Sequence, residues 1–466
     1  MLYVDTLPMN AQQTRAVLQD WTDSNGVFFD LDRILDYRGH FIQKMIPLYN
    51  KAKKLAKYEG YKVTKNEDTI YILKHMYDVP EELMQVPDFK TGGTKLSIKS
   101  DVREKLLKSE RVSDGAKEFI RIVNELVDLS HSISYLSQYM ELPVSLSLAY
   151  NGNRMVVGRP KWSVLSTSRV SAKEPSIQNI DRRFGDIRTW PKGYSFVRVD
   201  SGQIEPRTMY SWKIKDPLIK QLIIEYNDAY TGIVRYVLLT PDEEMSLRYK
   251  YNLFWDGQIT DKPMNFIESI ELRKDLDMTL RSKIKTCVNA GNYGGNLEDR
   301  INLEEVGVEL MHLFNDRITR HPLRLKLEEE VKQEVYRGVH VFHGYFGTPV
   351  DPLADPDKRK KYPPGSTAER KHLVRCGINN PIQTTASELM CASVHYADKI
   401  LREKSYGKSS IAYYKHDEGA FYIHDSEKYL IEYLKEATAY QVADWIPIYS
   451  DLEEERDKGM AEVETL

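Results

Sequence analysis

Two acidic positions carry the strongest chemical signal in this sequence. Val197 to Arg207 reads V-R-V-D-S-G-Q-I-E-P-R, a strand that stops on Asp200 and gives way at once to a turn and a helix. Ile411 to Ile423 reads I-A-Y-Y-K-H-D-E-G-A-F-Y-I, a β-hairpin pattern with His416, Asp417 and Glu418 at its tip. An acidic residue at a hairpin tip alone is ordinary turn chemistry. Two aspartates at the ends of strands in one sheet can instead hold hard divalent cations through oxygen ligands. A pair of such ions about 3.5 to 4 Å apart stabilises the attacking and the leaving oxygen of a phosphoryl displacement. That chemistry requires a polyanionic substrate.

Arg281 to Gly295, R-S-K-I-K-T-C-V-N-A-G-N-Y-G-G, has the residue types to receive one. Arg281, Lys285, Asn289 and Tyr293 recur every fourth residue and form one stripe on a helix. A basic stripe is usually a solvated face, but this one ends in an aromatic and two glycines. Arg281 and Lys285 suit the outer phosphates of a triphosphate, which leaves Tyr293 beside a sugar or base.

The elements that must position these residues are numerous. A chain of 466 residues is long enough for two or three packed subdomains. With 41% hydrophobic and 29% charged residues it reads as globular and soluble. It has no apolar run long enough for a membrane span and no signal-peptide pattern at M-L-Y-V-D-T-L-P, so a cytoplasmic location and no membrane partner are expected. Cys287, Cys376 and Cys391 form neither a disulfide framework nor a zinc signature. The net charge of −3 conceals local runs. Lys51 to Lys65 carries six lysines against one glutamate, and Asp451 to Asp457 reads as an acidic tail. Residues 34 to 58 and 115 to 140 show helical spacing of apolar residues. Phe89 to Ser100 is a Gly/Thr/Ser/Lys loop, in which Lys90 and Lys95 suit phosphate contacts. Strands are expected from about 141, helices over roughly 216 to 340, a loop at Pro356 to Gly365, and helix, strand, turn, strand, helix to the end.

Taken together the chain resembles the family A DNA polymerases. D-S-G-Q-I-E-P-R is similar to that family's motif A, R-x3-K-x3-N-x3-Y-G to motif B, and K-H-D-E to motif C. Ser168 to Ile180, Arg375 to Ala386 and the entry from Asn25 through Ser97 resemble further family blocks in the same order. The resemblance implies an α+β right-hand polymerase fold, with an antiparallel-sheet palm and helical thumb and fingers. It places an N-terminal segment at 1–29, the thumb at 30–135, the palm at 136–214 and 371–466, and the fingers at 215–370 with an insertion near 240–270. It implies a template-directed polymerase module without its own exonuclease or 5′-nuclease domain, taking primer-template DNA and deoxynucleotides. A proofreading exonuclease or processivity subunit would be a separate polypeptide.

Residue by residue, the resemblance implies that Asp200, Asp417 and the carbonyl of Ser201 hold two Mg²⁺, with Glu418 auxiliary. Glu205 matches the sugar gate, paired with Tyr293. Gln203, Tyr230, Arg281, Lys285 and Asn289 fall in the nucleotide site. Arg169, Gln178, Asn179, Arg375, Asn379, Gln383 and His416 match positions that contact primer and template. The sequence departs from the family at Asn289, where an aromatic is usual, at Tyr230, where a histidine is usual, and at Ser201, Gly202 and Pro206. The remaining readings are a single-subunit RNA polymerase, against which Glu205 and Glu418 argue, and a non-catalytic DNA-binding scaffold.

Overall fold

The computed structural model describes residues 1–56, 60, 62, 65–88, 93–165, 167–251, 278–292 and 307–455. The chain divides into two compact units. One comprises Met1–Val27, Arg159–Ile180 and Gly193–Leu466; the other comprises Phe28–Gly158 and Asp181–Lys192.

The smaller unit is built on two long helices, Leu31–Ala56 and Asp114–Met140, close to the periodic segments expected at 34–58 and 115–140. Their apolar stripes and those of Asn66–His75 and Ser100–Lys108 meet in a core that includes Ile72, Leu106, Phe119, Ile120 and Leu126, all fully buried. Ser113 caps the second long helix by accepting from the amide of Ala116, which meets one of the orphan donors of its first turn. The unit extends past residue 135. Strands Val144–Leu148 and Arg154–Gly158 form one antiparallel pair in it, and Asp30 ties in Asn151 and Asn153 through their side-chain amides, at 3.0 and 2.8 Å. In Phe28–Asp32 both carboxylates are spent on local contacts: Asp32 is ion-paired with Arg154. Of the loop lysines, Lys95 is exposed on strand Gly93–Leu96, and Lys90 lies outside the described residues.

The larger unit centres on a four-stranded antiparallel sheet in the order Ser410–Lys415, Glu418–His424, Tyr194–Ser201, Ser450–Glu455. Its second and third strands are apolar on both faces, as befits central strands; Phe421 opposite Val197 and Ala420, Ile423 and Val199 are fully buried. Burying one such large side chain contributes roughly 1.5–3 kcal/mol, so the strands that carry the aspartates are anchored by their own sequence. The fourth strand corrects the reading of Asp451–Asp457 as an acidic tail. Ser450–Glu455 is an edge strand, where charge is tolerated and discourages further pairing.

Helices flank the sheet. The 38-residue helix Thr367–Lys404 runs through Pro381 and is buried all round over its middle, from Thr384 to Val394. Helices Pro217–Tyr226 and Ala229–Leu238 form a hairpin so close that a Cβ on Gly232 would stand 2.8 Å from the backbone of Ile223. Helix Pro241–Lys250 is the described part of the expected insertion. A Thr240–Glu243 capping box starts it, and Arg248 docks it by donating to the fully buried Asp216 at 3.0 Å. Pro356–Gly365, expected as a loop, opens with the short helix Pro356–Lys361. Asp355 caps it and proline occupies its first turn, where no amide is needed. Among the described residues no helix is long and apolar enough to cross a membrane.

Candidate active site

Strand register brings the two acidic motifs together. In the antiparallel pairing of Tyr194–Ser201 with Glu418–His424, Asp200 stands directly opposite Glu418. The two-residue loop His416–Asp417 closes the hairpin, with His416 in the left-handed region at φ 54°. Asp417 is held to the first strand through its carbonyl, which accepts from the amide of Ser201 at 2.9 Å. On the other side of Asp200 the edge strand places Asp451 directly opposite it. Cross-strand partners project from one face, so Glu418, Asp200 and Asp451 form a row across three strands. Asp200, Asp417, Glu418 and Asp451 line one cleft of about 190 Å³ with Arg198, Lys415 and His416.

The cleft is electrostatically loaded. Burial, then the charges of Glu205 and Glu418, push the Asp417 carboxyl up to about 6 despite Arg169 nearby. Arg198 pairs with Glu418 at 3.4 Å and Tyr413 donates to it at 3.2 Å. Among the described residues no group of three or more His, Cys, Asp or Glu side chains converges as a ready-made metal cage. Two carboxylates, Asp200 on a strand and Asp417 in the adjoining hairpin loop, nevertheless suit Mg²⁺, which keeps water and substrate phosphates in most of its shell rather than demanding an all-protein cage.

The raised pKa has a checkable consequence. A carboxyl whose folded value lies above its ordinary 3.8 favours the fold below that value, and the advantage is gone once pH rises through about 6. Asp417→Asn is therefore expected to be more stable than the wild type at pH 7 without divalent cations, by up to about 3 kcal/mol. The gap should shrink between pH 6 and 4 and should narrow when Mg²⁺ is added. Urea titrations at several pH values measure it; a variant less stable than wild type at pH 7 would contradict the assignment.

A second cleft, about 200 Å³, shares His416 and Asp417 and is lined also by Arg169, Ile204, Glu205, Ala386 and Ser387. Here Glu205 has a partner that its local sequence does not announce. Its described partner is Arg169, an ion pair closing onto the short helix Ile204–Thr208; Tyr293 lies outside the described residues. Gly202 leaves room at the turn before that helix. A Cβ there would lie 3.2 Å from the carbonyl of Tyr449 and 3.4 Å from Asp451 Oδ2. Pro206 sits in the helix's first turn, where its missing N–H costs nothing. Ser201 is buried and its hydroxyl donates to the carbonyl of Thr438 at 2.9 Å.

The basic helix is Met278–Asn292. It buries Ile284, Cys287 and Val288, leaves Arg281 half-buried and exposes Lys285; Asn289 belongs to its last turn. Arg281 is not simply held out to solvent. It clamps Asp228, the cap of helix Ala229–Leu238, with Nε at 3.1 Å and one terminal nitrogen. Tyr230 lies beneath the basic pair, its ring centroid 5.5 Å from the Arg281 guanidinium and 5.7 Å from Lys285 Nζ. Burial and then the nearby Glu205 charge raise its phenol, which stays protonated at neutral pH.

The expected primer and template contacts divide. Asn179 is exposed, and Arg375 and Gln383 are half-buried on the long helix. Asn379 is buried, with its Oδ1 lacking a hydrogen-bond partner. Gln178 does not reach a surface: it accepts from the Ala172 amide at 2.9 Å and donates to the carbonyls of Val170 and Tyr414, at 3.1 and 2.6 Å. It braces two strands internally. Asp451 and Asp228 are the site residues that sequence reasoning missed. The D-L-E-E-E run lacked the apolar alternation that marks strands, and D-A-Y drew attention to its tyrosine rather than its aspartate.

A scan of protein-family models finds no match to this chain, and a search of curated proteins finds none. The fold is nevertheless shared with a solved polymerase domain. The chain is similar to the solved POL domain of Pol1 from M. smegmatis, a complex with DNA primer-template and dNTP, with a TM-score of 0.67 at 16% identity over 96% of this chain and 69% of that one.

Proposed function

We propose that the chain is a template-directed DNA polymerase that extends a primer 3′-hydroxyl with deoxynucleotides and releases pyrophosphate. The observation that carries this reading is the meeting of Asp200, Asp417 and Glu418 in one cleft that opens beside the Arg169–Glu205 pair. It stands within a fold shared with a polymerase domain. In this reading the sheet of the larger unit is the palm, residues 215–370 are the fingers and the helices of the smaller unit are the thumb.

Asp200, Asp417 and the carbonyl of Ser201 would hold two Mg²⁺, with Glu418 steadying the hairpin through Arg198 and Tyr413. The chemistry those ions supply when bound is activation of the 3′-hydroxyl and neutralisation of the pyrophosphate charge. Lys285 and Arg281 receive the triphosphate above the Tyr230 ring. His416, Asn179, Arg375 and Gln383 face primer and template. Glu205 fills the space of a ribose 2′-hydroxyl, and Arg169 holds it there.

Primer extension on a primed template with Mg²⁺ and each nucleotide set tests the reading. Extension with deoxynucleotides is expected; preference for ribonucleotides would favour an RNA polymerase, and no extension with either would leave a DNA-binding scaffold. Glu205→Ala should lower the preference for deoxynucleotides at least tenfold, about 1.4 kcal/mol of discrimination. Single-nucleotide incorporation with matched dNTP and rNTP measures the ratio, and an unchanged ratio removes Glu205 from the gate.

A further inference from the structure

The Asp228 carboxylate is almost completely buried yet fully engaged, with its side chain 1% exposed. Capping helix Ala229–Leu238 requires only one of its acceptor sites, and the amide of Thr231 takes Oδ1 at 2.7 Å. Three more bonds reach it: two from Arg281 and one from Gln203 Nε2. Burial disfavours its charge, and the Arg281 and Thr231 bonds overcome this and hold the carboxyl below the usual carboxylate range. Gln203 closes the network by accepting the Ala229 amide through its Oε1. Gln203 itself is fixed in the left-handed region (φ 57°, ψ 42°), in the turn that follows the Asp200 strand.

We infer that Asp228 is a positioning residue for the incoming triphosphate: through Arg281 and Gln203 it locks the basic helix to the turn after Asp200. The inference rests on the polymerase reading above. The fork uses Nε and one terminal nitrogen of Arg281, so it fixes the plane of the guanidinium while the other terminal nitrogen takes no part in it. The same clamp sets Arg281 over the Tyr230 ring beside Lys285. An arginine on this helix without the clamp would keep its charge but lose its orientation. A phosphate-binding residue gains affinity from being pre-ordered, because less rotamer freedom is lost on binding.

Single-turnover extension with Asp228→Asn, Arg281→Ala and the double variant tests this. Asp228→Asn keeps an oxygen for the Thr231 amide but loses the charged fork. It should raise KM for dNTP about tenfold with kcat within threefold, raise the inhibition constant of pyrophosphate in parallel, and leave primer-template affinity unchanged. In the double variant KM should match Arg281→Ala alone within twofold, since both changes remove one interaction. An active wild type with additive effects in the double variant, or with KM unmoved in Asp228→Asn, overturns the positioning role alone. A wild-type chain that extends no primer overturns the polymerase reading and this inference with it.

Discussion

Asp200→Ala and Asp417→Ala are each expected to slow primer extension at least a thousandfold while changing primer-template affinity less than threefold. A thousandfold loss is about 4 kcal/mol of barrier, more than a positioning contact supplies and in keeping with loss of a metal ligand. The two positions are not redundant: Asp200 lies one residue from the end of a sheet strand, between Glu418 and Asp451, whereas Asp417 sits in the hairpin loop. Asp451→Ala, which removes the outer member of the same row, separates a general effect of acidic charge from ligation and should cost far less. Rapid-quench incorporation together with DNA titration measures both quantities. Activity within tenfold of wild type in the Asp200 variant would remove it from the proposed metal site.

Asp216→Ala is expected to lower stability by about 3–5 kcal/mol, the range for breaking a buried pair and leaving a charge uncompensated. Asp216 is fully buried and caps helix Pro217–Tyr226 through the amides of Leu218 and Ile219, at 2.8 and 3.0 Å. Its other oxygen accepts from Arg248 at 3.0 Å and faces His321 Nε2 at 3.4 Å. Arg248 continues to Glu244 at 2.8 Å, and Glu244 to Arg317 at 2.8 Å. Burial works against the Asp216 charge, but His321, Arg248 and the cap amides hold its carboxyl below the usual range. That depressed value means the stabilisation is present above the ordinary 3.8 and is lost as pH falls through the lower folded value. Asp216→Asn keeps a cap acceptor and should recover part of the loss. Guanidinium denaturation at neutral pH measures it; a cost under 1 kcal/mol for Asp216→Ala would show the network to be dispensable.

Much of the site was legible because its signals are local. A strand carrying Asp200 next to its end, a hairpin tip carrying Asp417 and a four-residue stripe through Arg281 and Lys285 are all short-range patterns. The two long helices were legible for the same reason, since their apolar periodicity runs over more than six turns. By residue type Glu205 and Arg281 suit groups facing substrate, but their described partners, Arg169 and Asp228, come from other parts of the chain. Gln178 has the same character: its residue type suits a base-edge contact, but burial spends all of its hydrogen bonds on backbone.

By itself, then, the sequence determined the local elements that carry the candidate residues, the strand with Asp200, the hairpin with Asp417 and the helix with Arg281 and Lys285, because residue type and spacing along one element suffice for that. Only the tertiary structure decided that Asp451 joins the row beside Asp200, that Arg169 holds Glu205 and that Asp228 clamps Arg281. Strand register and helix docking set those pairings, and both are fixed by burial of apolar faces far apart in the chain rather than by any local pattern.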